Sequence, residues 1–147
     1  MTELVSIATG ELIELRDVQD EVFSEKMLGD GFGIITKETS LYSPVSGTVS
    51  MVYDTGHAIG IQAEDGSEIL IHIGIDTVEL AGEAFDSQVR PGDRVDRQTV
   101  ISKVDWEVVH DRGFDETVLV ISLNKQMHHL LRRGMVVRGS VVAEVHP

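Results

Sequence analysis

The chain is 147 residues long, 41% hydrophobic and only 5% aromatic, which is material for one globular core and little more. Twelve Lys and Arg against twenty-five Asp and Glu leave a formal charge of -13 at pH 7, a surface that repels the phosphate backbone on which nucleic-acid affinity depends. The absence of cysteine excludes disulfide frameworks, thiolate zinc sites, iron–sulfur clusters and cysteine nucleophiles together.

The chain opens on Met1-Thr2-Glu3-Leu4-Val5-Ser6-Ile7, without the basic start and apolar stretch of a secretory signal, and no apolar run reaches the length of a membrane span. A cytoplasmic protein with no span of its own is expected. Short runs of Val, Ile, Leu and Thr predict strands over 6–15, 32–36, 47–53, 58–63, 68–75 and 99–104. Turn chemistry separates them at Thr9-Gly10, Gly29-Asp30-Gly31, Ser46-Gly47, Asp65-Gly66 and Pro91-Gly92-Asp93. That spacing predicts an all-β fold, an antiparallel sandwich or barrel-sandwich, formed by the whole of 1–147 as a single domain. Short peripheral helices are expected over 82–90, 106–112 and 125–133, the last from the apolar spacing of Met127, Leu130 and Leu131. A weak internal repeat relates Gly92, Val95, Val100 and Val104 to Gly134, Val137, Val142 and Val145 as two β-arches.

The chemistry concentrates between Thr55 and Asp76. Asp65-Gly66 between two β-rich runs predicts a hairpin with a two-residue loop, which sets His72 opposite Ile59 and His57 opposite Gly74. Residues 57 and 59 share a face, so the histidines become diagonal cross-strand neighbours, roughly 5–8 Å apart. A three-residue loop would turn one of them to the opposite face. Leu70, Ile71, Ile73 and Ile75 supply no charge to hold an imidazolium, so His72 should be neutral near pH 7, with a nucleophilic nitrogen if the other donates to a backbone carbonyl. A single histidine in an apolar strand is most often a core residue; two on one face beside the Thr55 hydroxyl point to a site. Three chemistries fit: phosphoryl acceptance on neutral imidazole, a zinc site completed by carboxylate or water, and general-base catalysis.

His57-Ala58-Ile59-Gly60-Ile61 followed by Leu70-Ile71-His72-Ile73-Gly74-Ile75-Asp76-Thr77-Val78-Glu79-Leu80 resembles the glucose-type enzyme IIA domain of the bacterial sugar phosphotransferase system. The similarity extends through residues 17–31, 43–49, 82–85 and 92–95, nearly the whole chain. The resemblance implies a β-sandwich phosphotransferase component without a cofactor, in which His72 carries the phosphoryl group, His57 contacts its oxygens and Thr55 orients the His57 imidazole. It further implies an apolar docking surface of Val22, Phe23, Met27 and Val78 flanked by Asp20 and Asp76. The phosphocarrier protein HPr would supply the phosphoryl group and a sugar-specific enzyme IIB domain of a IIB/IIC permease would receive it. The sequence departs from the family at Ala8-Thr9-Gly10 and in Glu116-Thr117-Val118-Leu119-Val120, where a proline is usual, and at Gly56, where Asn or Lys is frequent.

Other readings explain less. A lipoyl- or biotinyl-like swinging arm, suggested by Glu25-Lys26-Met27 and the Gly-Asp-x-Val arch, leaves both histidines without a role. A zinc hydrolase needs more than the half-site that His57 and His72 provide, which should hold zinc only weakly. Gly29-Asp30-Gly31-Phe32-Gly33 has its third glycine misplaced for a dinucleotide loop and reads as a turn. His110, His128, His129 and His146 fall in expected helical or terminal segments, and Trp106 reads as a packing residue at a helix start.

Overall fold

Branched side chains pack well on a pleated surface, and among the described residues they build fourteen strands: β1 (Thr2–Val5), β2 (Gly10–Glu14), β3 (Asp30–Ile35), β4 (Ser40–Tyr42), β5 (Gly47–Val52), β6 (Ala58–Ala63), β7 (Glu68–Ile75), β8 (Phe85–Ser87), β9 (Arg94–Val95), β10 (Val100–Val104), β11 (Asp115–Ser122), β12 (Gln126–Leu130), β13 (Gly134–Val136) and β14 (Val141–His146). These come from a computed structural model that describes residues 2–18, 20, 24, 29–80, 82–124 and 126–146, the side chains of 78, 79, 126–129 and 146 excepted. An eight-stranded sheet runs β13-β2-β3-β11-β7-β6-β5-β9, and two three-stranded sheets run β1-β14-β12 and β4-β10-β8. The strand pairings described are all antiparallel, as the all-β reading requires.

Alternation along the central strands sorts side chains into two apolar clusters. Phe32, Ile34, Ile59, Ile61, Ile69, Ile71, Ile73, Val118 and Val120 of the large sheet join Leu4, Leu41, Ile101 and Val142 of the smaller ones in the main core. Ala58, Leu70, Leu119 and Ile121 point the other way and pack with Leu15, Val18 and Ile75 into a second, smaller cluster. The large sheet is thus apolar on both faces at its centre, and β11 consequently reads as the continuous run Val118-Leu119-Val120-Ile121 instead of an alternating one.

Several expectations need correction. The run 6–15 is not one strand, because the chain breaks between β1 and β2, where the Ser6 hydroxyl donates to the Ala8 carbonyl at 2.6 Å. Of the three expected helices only 106–112 forms, as α1 (Trp106–Asp111), with the Asp105 side chain accepting from the Glu107 and Val108 amides. Residues 85–87 are the strand β8, whose ladder partner is β10. Residues 126–130 are β12, paired with β14: the backbone finds its partners in a neighbouring strand, Leu130 packs half-buried on the main core and Leu131 is left exposed. The helical spacing of Met127, Leu130 and Leu131 is outweighed by that sheet edge.

The β6–β7 hairpin has the strand bounds expected but a different register. Gln62 stands opposite Glu68 and Ala58 opposite His72, so the loop is one residue longer, spanning 64–66. The Gly66 amide donates to the Ala63 carbonyl at 3.0 Å, and Gly66 closes the loop with φ of 88°, the left-handed glycine typical of three-residue hairpin loops.

Candidate functional site

With that register, strict alternation would separate the two histidines. Their ring centroids nevertheless lie 5.1 Å apart at an interplanar angle of 77°. The reason is local: His72 sits within β7 opposite Ala58, but His57 precedes β6 and escapes its alternation. Gly56, with φ of 73°, turns the chain there, its amide donating to the Tyr53 carbonyl at 2.7 Å, while the Tyr53 amide donates to the Ala58 carbonyl at 3.0 Å. The His57 carbonyl stays on the sheet, accepting the Ile73 amide at 2.7 Å. A short loop thereby carries its imidazole to the face on which His72 stands.

His72 is oriented by its own strand. Gly74, with φ of 78°, sits at a bulge where the pairing of β7 with β11 slips between Asp115 and Val118. The Gly74 carbonyl accepts from Nδ1 of His72 at 2.6 Å. A carbonyl can only accept, so Nδ1 carries the hydrogen and Nε2 of the neutral ring carries the lone pair. A side chain at position 74 would run into Thr77 Cγ2 and approach the Asp115 carbonyl, so glycine is required.

Thr55 Oγ1 is hydrogen-bonded to Nδ1 of His57. With the hydroxyl donating, His57 bears its hydrogen on Nε2 and offers a neutral N–H donor. The ring is also held by Tyr53, edge to face at 5.0 Å and 77°. His57 is buried, with 4% of its surface exposed. Burial, reinforced by the neighbouring His72, pushes its pKa down from 6.5 to about 4. Burial also lowers the pKa of His72, opposed by the Gly74 carbonyl and by the charges of Asp20 and Asp76. Both rings are therefore neutral at pH 7.

The depressed pKa of His57 gives a stability prediction. A histidine whose folded pKa lies below its unfolded value binds fewer protons when folded, so its contribution is complete above about 6.5 and is lost as pH falls toward about 4. Across that window the fold should lose up to about 3 kcal/mol on account of this group. Urea unfolding at several pH values should show the slope in the wild type and a shallower one in His57→Gln.

Of the remaining expected residues, Asp20 and Asp76 both act electrostatically on His72. Asp76 is exposed and left-handed, with φ of 61°, a conformation that Asn also tolerates. Asp76→Asn should therefore keep the turn and lower the His72 pKa further, an effect read by NMR titration that should shrink in high salt. Val78 lies on the 3₁₀ turn Thr77–Leu80 directly after Asp76, its side chain outside the description. Val22, Phe23 and Met27, and Lys26 of the swinging-arm alternative, fall outside the described residues. Among the described residues, no group of three or more His, Asp or Glu side chains is placed to hold a metal ion, and no helix is long and apolar enough to cross a membrane. Sequence reasoning missed Tyr53, Ile73, Gly74 and Thr77. Only Gly74 left a signal, as a glycine inside a strand run, where bulges form.

Residues 2–128 match the family described as phosphoenolpyruvate-dependent sugar phosphotransferase system, EIIA 1. The chain is 43% identical over 105 residues to the glucose-specific EIIA component of Staphylococcus aureus strain COL, covering 71% of this chain and 63% of that protein. It is 39% identical over 122 residues to the glucose-specific EIICBA component of Streptococcus pneumoniae serotype 4, covering 83% of this chain but only 17% of that longer protein. Among solved structures, the glucose permease IIA from Mycoplasma capricolum superposes with a TM-score of 0.88 at 38% identity, covering 96% of this chain and 93% of that one.

Proposed function

Because the chain belongs to the EIIA 1 family of the phosphoenolpyruvate-dependent sugar phosphotransferase system, we propose that it is a phosphoryl carrier in sugar uptake, with His72 as the acceptor. The observation that carries the assignment of residues is the convergence of two neutral imidazoles at 5.1 Å, one of them with Nδ1 bound to a carbonyl. Neither the swinging-arm nor the zinc-hydrolase reading finds support in the comparisons.

In the proposed reaction Nε2 of His72 attacks the phosphorus of a phosphohistidine on HPr in line with the departing nitrogen, one P–N bond forming as the other breaks. Little covalent work falls to the protein in such a transfer; positioning and charge stabilisation remain. The Gly74 carbonyl holds the Nδ1 hydrogen and so takes up part of the positive charge that grows on the His72 ring as it becomes phosphorylated. His57, with Nδ1 held by Thr55, directs its Nε2 hydrogen at the phosphoryl oxygens. A neutral donor stabilises the transition state without trapping the phosphorylated form as a cation would, which suits a carrier that must release its cargo. Onward transfer to a sugar-specific IIB domain is the same displacement in reverse order. The Asp20 and Asp76 carboxylates, with Val22, Phe23, Met27 and Val78, would meet both partners, in the cytoplasm and without a cofactor.

Incubation with phosphoenolpyruvate, enzyme I and HPr, followed by intact-mass measurement and phosphate mapping, tests this reading. An acid-labile gain of one phosphate on His72 is expected. Absence of any gain, or a stable acyl group on Lys26 in the isolated protein, would overturn it.

A further inference from the structure

The two imidazoles are tied to neighbouring peptide units, His72–Ile73 and Gly74–Ile75, and a residue outside the site holds the unit between them. The amide of Ile73 donates to the His57 carbonyl at 2.7 Å, so the backbone under His57 hangs from it. The carbonyl of Ile73 accepts the hydroxyl of Thr77, four residues on. The next carbonyl, that of Gly74, is the acceptor for Nδ1 of His72 at 2.6 Å. Thr77 is wholly buried, with 0% of its surface exposed, and its methyl lies where a side chain on Gly74 would stand.

The chain makes an unusual effort to bring Thr77 there. Gly74 at φ of 78° and Asp76 at φ of 61° are both left-handed, one within β7 and one directly after it, and Thr77 follows with its hydroxyl on the Ile73 carbonyl. A left-handed aspartate costs on the order of 1 kcal/mol relative to ordinary backbone, so such a turn persists only where its surroundings enforce it. Rotation about the N–Cα and Cα–C bonds of Gly74 would let its carbonyl leave the His72 ring, since glycine sets little resistance to it. The Thr77 hydroxyl, bonded to the Ile73 carbonyl, holds the peptide on the N-terminal side of Gly74 and removes much of that freedom.

From this arrangement we infer that Thr77 is a positioning residue for His72: its hydroxyl anchors the Ile73–Gly74 peptide and thereby aims the Gly74 carbonyl at Nδ1, selecting the tautomer that keeps its lone pair on Nε2, the nitrogen proposed to accept a phosphoryl group. The inference rests on the reading of His72 as acceptor. Its effect passes entirely through the Gly74 carbonyl, in the way that outer hydrogen bonds fix the tautomer of a ligating histidine.

Two variants separate this role from simple packing. Thr77→Val keeps shape and methyl but loses the hydroxyl, and Thr77→Ser keeps the hydroxyl. The primary readout is the pair of ¹⁵N resonances of the His72 ring in the unphosphorylated protein at neutral pH, which are widely separated for one tautomer and draw together for a mixture. Thr77→Val should draw them together and slow phosphoryl uptake from HPr about 10-fold. Thr77→Ser should leave both resonances and uptake at wild-type values even if it melts at a lower temperature. A Thr77→Val protein with unchanged ¹⁵N resonances, or a Thr77→Ser protein with mixed ones, would overturn the inference, and the second result stands even if Thr77→Val does not fold. Should the wild type take up no phosphate, the carrier reading fails by itself, and the ¹⁵N comparison still decides the role of Thr77.

Discussion

His72→Ala should take up no phosphate from HPr. In the proposed reaction uptake depends on the lone pair at Nε2, which lies there because Nδ1 is committed to the Gly74 carbonyl. His57 is no substitute, since its ring is more deeply buried and its own Nδ1 is bound to Thr55. The lost hydrogen bond to Gly74 should cost only about 1 kcal/mol of stability, so the variant should fold and failure to react can be read as chemistry. Phosphate incorporation followed by ³¹P NMR is the measurement, with a wild-type signal stable to base and labile to acid. Uptake at the wild-type rate in His72→Ala, or phosphate mapped to His57, would reverse the assignment of nucleophile and helper.

His57→Ala should divide the reaction in two. The proposed acceptor remains intact, so phosphate should still load onto His72, whereas transfer to the IIB domain should fall by about 10²–10³-fold as the neutral donor proposed for the phosphoryl oxygens disappears. Loss of an aromatic partner at 5.0 Å from Tyr53 also removes packing, which is why His57→Gln belongs beside it. Thr55→Val should show a milder version of the same defect, because it removes only the hydroxyl that fixes the ring. Single-turnover loading and unloading rates, measured separately, are the test; equal loss in both directions would assign His57 a role in attack as well as in departure.

The fold was legible where periodicity was strong. The bounds of β6 and β7 follow from their β-branched runs and the Asp65-Gly66 turn, and they are the strands that frame the site. Register was not legible, because an Asp-Gly pair serves loops of two residues and of three, and choosing between them depends on the backbone of Gly66. The histidines meet despite the altered register for a reason invisible to alternation: Gly56 turns the chain just before His57, and β6 begins only at Ala58, so its alternation does not bind His57. The region 125–133 failed for a different reason. Its apolar spacing suits a helix in isolation, and only the presence of β14 alongside makes a strand of it. Tyr53, Ile73 and Thr77 act through a loop contact and a strand bulge, both of them consequences of three-dimensional pairing with no mark in composition or spacing.

His72 stands on β7, which is hydrogen-bonded to β11 on one side and β6 on the other, well inside the large sheet. Amide hydrogens in so enclosed a strand exchange with solvent only through the largest openings of the molecule. A frame of this kind has no slack with which to register the arrival of a phosphoryl group. The loaded and unloaded proteins should then share one backbone, and whatever distinguishes them for a partner must be the doubly charged group itself, set within reach of the Asp20 and Asp76 charges.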